Sequence, residues 1–343
     1  MQQPMSGERQ ESLSRLCLRS IKKYSLGSRY LKPILAILKI LAGLGLLVLS
    51  IQGIQVENLV AGIRSAALSW LALAVFSIIL GLGLKLWRWA ILIKNYNIRA
   101  SPARLFSAYF VGQATNIILP LRGGELVRLG YFAGEKKILP ETASTIILEK
   151  YLDLLALTLF SVMVSLKISL DNILNLRGWL LPLSVALTLL LLAVIFLGPA
   201  VWEKLRHRNH LPQRLIDWLD KWVQASNWLR NPRQVIPVAL LTILIWGVMW
   251  FTNLLLFNSL GLAVGGTAAG LVLVLVYVGL FPALMPGNIG PFYFFARLAL
   301  LPFGIIQDQA VVFAVVLHAI VTLPPLLGGA IGLLIRSRHP VSV

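Results

Sequence analysis

The chain has 343 residues, 58% of them apolar and only 13% charged, with a mean hydropathy of +0.81 and a formal net charge of +18. Soluble domains carry about a quarter charged residues, so the ordinary soluble domain is excluded: one aqueous core could not hide this much apolar surface. The single cysteine, Cys17, excludes an internal disulfide framework and a cysteine-held metal cluster, and near the terminus it reads as inert.

Residues 1–33 carry seven Lys and Arg against Glu8 and Glu11. The apolar run that follows, 34–54, has the roughly 20 residues that a spanning helix needs. Leader and run together are too long for a cleaved signal peptide, and no A-x-A site follows. A basic cytoplasmic arm, 1–33, ahead of a retained helix is expected, in position to touch anionic lipid. Further full spans are expected at 67–93, 141–166, 178–200, 235–260 and 308–335. Two more apolar stretches, 102–134 and 268–303, are broken near their middles by Pro and Gly. The expected fold is thus an all-α polytopic membrane protein with six full spans and two re-entrant Pro/Gly hairpins, the membrane domain covering 34–337.

The basic residues sit beside the apolar runs, so the positive charge follows the positive-inside pattern and does not point to nucleic acid. With the N-terminus inside, the cytoplasmic segments hold 25 of the 31 Lys and Arg, including five in 85–104 and seven in 204–233. Outside loops hold Arg64, Lys167 and Arg177. Both termini are then cytoplasmic and the host is the plasma membrane. The loop 203–234 has apolar residues at helical spacing among its basic ones, with Trp202, Trp218, Trp222 and Trp228 as interfacial anchors. An amphipathic helix lying on the bilayer is expected there.

The two broken stretches resemble each other. Asn116-Ile-Ile-Leu-Pro120-Leu-Arg-Gly-Gly124 aligns with Pro282-Ala-Leu-Met-Pro286-Gly-Asn-Ile-Gly290 at an offset of 166 residues, and nearly the same offset superposes the flanking spans. Threading makes the halves, about 67–166 and 235–335, inverted relative to each other. Paired broken segments in inverted halves point to a transport site at the bilayer midplane.

Ionisable groups inside a bilayer are costly and mark function by default. The first hairpin offers Arg122, Glu125 and Arg128, with Gly123 and Gly124 letting backbone N–H groups approach an anion at the start of a half-helix. Glu149 and Asp153 share one face of the next span and suit Arg122 or Arg128 as partners, while Lys150 reads as snorkelling. The second half offers Arg297 and His318, beside the hairpin residues Pro286, Gly287, Asn288 and Gly290. A plain interfacial ion pair remains open for Glu125–Arg128, as does a packed, hydrogen-bonded His318. No catalytic or nucleotide-binding motif occurs, so no enzyme, cofactor or metal is expected.

At Asn116-x-x-x-Pro120-x-Arg122-x-Gly124-Glu125-x-x-Arg128, followed by Glu149-x-x-x-Asp153, the sequence resembles the flippase-like membrane domain of lysylphosphatidylglycerol synthases. The resemblance covers roughly residues 30–337. It implies movement of a lipid or lipid-linked headgroup between leaflets, the partners being an anionic phospholipid, a hopanoid or a polyprenyl-linked species. Arg122, Arg128 and Arg297 would hold the headgroup, Glu125, Glu149 and Asp153 would balance them, and the hairpin glycines would form the gate. A membrane subunit that binds lipid and recruits a modifying enzyme stays open, as does a homo-oligomer. The chain leaves no room for the aminoacyl-transfer domain of the full synthases, so lysyl transfer is not expected. Many members also carry an acidic residue shortly after the second hairpin's last glycine, where this chain reads Gly290-Pro-Phe-Tyr293.

Overall fold

The computed structural model describes residues 38–119, 123–134, 138–167, 197–206, 231–281 and 286–338, with isolated positions between 182 and 229. The basic arm 1–33, most of the 178–200 span, most of the 203–234 loop, Pro120 and Arg122 lie outside the described residues. Among those described there is no strand.

Helix α1, Leu38–Ile51, bends by 77° at Gly53 into α2, Val56–Arg64. Gly53 has φ 81°, a left-handed conformation that glycine adopts at no steric cost. Arg64, expected in a loop, closes the last turn of α2. The long helix α3, Leu68–Asn95, ends where Asn97 turns left-handed at φ 57°. α4, Pro102–Ile118, is started by Ser101, whose hydroxyl accepts from the Arg104 N–H (3.2 Å), with Pro102 in the first turn, where its missing N–H costs nothing. The chain then breaks and returns as the short α5, Gly124–Gly130, before α6, Leu139–Ser165. Within the connecting region α7, Gly198–Arg206, buries Trp202, whose indole donates to Asp220.

The same order of lengths then recurs. A long helix α8, Pro232–Ser259, is capped by Asn231 and followed by α9, Gly266–Leu280. A single 3-10 turn, Pro286–Asn288, leads into α10, Ile289–Leu300, which returns along α9. The turn Leu301–Phe303 and Gly304 (φ 71°) connect it to α11, Gln307–Arg338. Three of these helices, α3, α8 and α11, are long and apolar enough to cross a membrane, or four spans if the bent α1–α2 pair counts as one. α6 has the length, at 27 residues, but carries Glu149, Lys150 and Asp153.

α3 runs along α8 and α4 along α11. The Ala67 N–H donates to the Ser259 carbonyl (2.7 Å), so the start of α3 is tied to the end of α8 and the two run antiparallel. Small residues set the α4–α11 seam: a Cβ added at Gly328, Gly329 or Gly332 would strike Phe110, Ala114 or Ser107. Such residues let helix backbones approach closely where lipid supplies no hydrophobic drive. The outer faces are apolar, with Trp70, Leu73, Phe76, Ile79 and Trp87 of α3 and Leu240, Ile243 and Phe251 of α8 all exposed. An exposed apolar surface of this extent fits lipid and not water.

Candidate functional site

Three helices bring their charges to one interior point, and a fourth adds neutral donors and acceptors. Glu149 and Asp153, four residues apart on α6, face inward together. The Arg128 guanidinium of α5 donates to Glu149 Oε2 at 2.7 Å and lies over the rings of Trp89 (4.1 Å) and Tyr109 (5.1 Å). Arg88 of α3, fully buried, donates to Asp153 Oδ1 (2.8 Å) and Thr242 Oγ1 (3.0 Å), with Glu149 Oε1 4.0 Å away. Trp246 of α8 adds an indole N–H 3.4 Å from Asp153 Oδ1. Two guanidinium groups thus meet two carboxylates, which is the condition under which buried charge is tolerable.

The structure therefore brings Arg128, Glu149 and Asp153 together: Glu149 pairs with Arg128, as expected, while Asp153 serves Arg88, a residue the expectation did not include. The α5 N-terminus also differs from expectation. The Gly124 N–H donates to Asn116 Oδ1 (2.8 Å), the Asn116 amide donates to Glu125 Oε1 (3.2 Å), and Lys150 Nζ reaches the same oxygen at 2.9 Å. The amide that was expected to meet an external anion is satisfied within the hairpin. Lys150 does not simply snorkel; it pairs with Glu125.

Two of the hairpin glycines, Gly124 and Gly290, sit at close helix crossings. A Cβ at Gly124 would run into the Gly112 carbonyl oxygen, and one at Gly290 into the carbonyl oxygen of Gly43 on α1. Gly123 has only Leu119 near it, at 3.9 Å. In the second hairpin Gly287 (φ 66°) and Asn288 (φ 54°) make a left-handed turn held by His318. His318 Nε2 lies 2.8 Å from the Gly287 carbonyl, which only accepts, so Nε2 carries a proton; in the neutral ring Nδ1 then accepts from the Tyr293 hydroxyl (3.4 Å). Arg297 donates to the carbonyls of Leu49 (2.6 Å) and Ser50 (3.5 Å), capping the end of α1 away from Arg128.

A cavity of about 250 Å³ lies between α4 of the first hairpin and α9–α10 of the second, walled also by α3, α8 and α11. The hairpin glycines were expected to form the gate of the pathway; none of Gly123, Gly124, Gly287 and Gly290 lines the cavity. Its polar lining comes from Ser77, Lys85, Gln113, Thr252, Asn253 and Tyr277. Pro325 of α11 lines it too, and Pro324–Pro325 remove two backbone donors from the helix beside it. The cavity wall continues into the ion cluster by two routes. Gln113 donates to the Tyr109 hydroxyl (2.9 Å) beside Arg128, and Tyr277 packs on Trp246 (ring centroids 5.0 Å apart), which faces Asp153.

Lys85 and Arg88 are the functional candidates that sequence reasoning missed, having been counted as cytoplasmic loop charges. The signal was present: they are three apart within one uninterrupted apolar helix, on the opposite side from lipid-exposed Trp87. Among the described residues no cluster of His, Cys, Asp and Glu could hold a metal ion.

No curated protein matches the chain. The family profile of the lysylphosphatidylglycerol synthase TM region matches residues 36–329, which includes both hairpins, the ion cluster and the cavity. The chain belongs to the lysylphosphatidylglycerol synthase transmembrane-region family.

Proposed function

We propose that the protein moves an anionic lipid, or a lipid-linked headgroup, between the leaflets of the plasma membrane without catalysing covalent chemistry, with both of its termini in the cytoplasm. The observation that carries this reading is the cavity between the two hairpins, with Lys85 on its wall and a buried ion cluster beside it, inside helices whose outer faces suit lipid. A charged headgroup crosses about 30 Å of hydrocarbon only along a polar path. Family membership supports a lipid-related role. The recurrence of a long helix, a two-armed hairpin and a second long helix, beginning at 68, 102, 124 and 139 and again at 232, 266, 289 and 307, supports an inverted repeat. In such a repeat the site lies between the halves and the halves rock around it.

The test is exchange of a labelled anionic phospholipid between leaflets of liposomes carrying the purified protein. Exchange well above that of protein-free vesicles is expected. A rate equal to that of empty vesicles, with lipid still bound to the protein, would replace transport by the reading in which a lipid-binding subunit recruits an enzyme.

A further inference from the structure

We propose that Lys85, assisted by Tyr277, is the receiving post for a lipid-borne phosphate whose headgroup carries no amino group. This rests on the reading of the cavity as the headgroup site. Among the described residues lining the cavity, Lys85 is the one charged side chain. The other cations nearby are already matched: Arg128 by Glu149, Arg88 by Asp153 and Lys150 by Glu125, at 2.7, 2.8 and 2.9 Å. Lys85 has no carboxylate within ion-pair distance among the described residues. Its partners are the Tyr277 hydroxyl, at 3.4 Å, and the ring of the same residue, 5.9 Å from Nζ to the centroid. An ammonium has three donors, so most of its capacity faces the cavity. The Tyr277 hydroxyl donates only to the Met249 sulfur (3.2 Å), a weak acceptor that a phosphate oxygen would displace.

Charge and size then select the ligand. A lone cation in apolar surroundings is costly until an anion neutralises it; a phosphodiester supplies one negative charge and a phosphomonoester between one and two. An aminoacyl or ethanolamine headgroup would bring a second cation next to Lys85, and no carboxylate lines the cavity to receive it. The volume, about 250 Å³, falls below the roughly 300–1,000 Å³ of pockets that enclose drug-sized ligands. It suits a compact headgroup whose tails stay among the lipids.

The experiment is binding to the purified full chain in detergent, followed by native mass spectrometry with four competing lipids: phosphatidylglycerol, a polyprenyl monophosphate, phosphatidylethanolamine and lysylphosphatidylglycerol. The first two are expected to bind, their ratio identifying the source of the phosphate, and the two amino lipids to bind at least about tenfold more weakly. Lys85→Gln should weaken binding of the first two by about 10- to 150-fold, the range for losing one charge-assisted contact. Lys85→Arg should restore most of it, Tyr277→Phe should weaken it a few-fold, and Arg64→Ala on α2 should match wild type. Equal binding of all four lipids by wild type, or binding of none, overturns the proposal even if Lys85→Gln does not fold. So does undiminished binding by a folded Lys85→Gln. Leaflet exchange measured in parallel separates the two readings. Selective binding without exchange keeps Lys85 and removes transport, whereas fast exchange by both wild type and Lys85→Gln keeps transport and removes Lys85.

Discussion

Arg128 shows how far one side chain's surroundings can redirect its role. Of the two partners the sequence left open, Glu125 three residues before it and Glu149 on the next helix, it takes Glu149, and it is 4% exposed between two aromatic rings. A guanidinium so enclosed holds α5 against α6, and its loss strands a carboxylate. Arg128→Met and Glu149→Gln should each cost about 3–5 kcal/mol, the range for breaking a buried pair from one side. The double variant should cost clearly less than the two summed, because the partner left unpaired is then gone as well. Chemical denaturation in detergent reads this directly, and strict additivity would mean the two residues do not act as a pair. Sequence spacing revealed that Glu149 and Asp153 share a face. It also placed Arg88 three residues from Lys85 within one apolar helix, but it could not name its partner, because a basic residue near the end of an apolar run looks the same whether it faces water or a carboxylate on another helix.

At the scale of elements, the hairpin breaks were legible because proline and glycine act locally. α4 stops two residues before Pro120, and the second hairpin turns at Pro286–Asn288. What the glycines are for was not legible, since their contacts lie on other segments: Gly124 against Gly112, and Gly290 against Gly43 of a helix far away in sequence. Gly124→Ala and Gly290→Ala should therefore destabilise by about 1–3 kcal/mol or more, as overpacking does. Gly83→Ala, in the middle of α3 with nothing within 4 Å of the added Cβ, should be neutral or stabilising by up to about 1 kcal/mol. Folded yield by fluorescence-detected size exclusion ranks the three, and a Gly124→Ala protein as well behaved as Gly83→Ala would contradict the crossing.

For the whole molecule, the α3–α8 seam joins the first half of the chain to the second. A Cβ at Gly81 would lie 3.6 Å from Val248 Cγ1, close to where a cysteine sulfur at 248 would stand. Cys17 being the single native thiol, a Cys17→Ser background carrying Gly81→Cys and Val248→Cys should cross-link under mild oxidation, seen as a disulfide-linked peptide pair by mass spectrometry. Persistent free thiols at both positions would mean the seam is misplaced. Only the direction of the seam was legible, because threading ran 67–93 and 235–260 in opposite senses; that the two pack on each other was not. The depth of the charges within it was not.

That depth has a consequence for voltage. A membrane potential of 100 mV does about 2.3 kcal/mol of work on each elementary charge carried across the bilayer. The cluster of Arg88, Arg128, Glu149 and Asp153 sums to zero, as does Glu125 with Lys150. Helices that shift while carrying these groups therefore displace no net charge across the field, however many ions they hold. Of the charges described around the cavity, only Lys85 would register as gating charge, and a bound phosphate monoanion would silence even that.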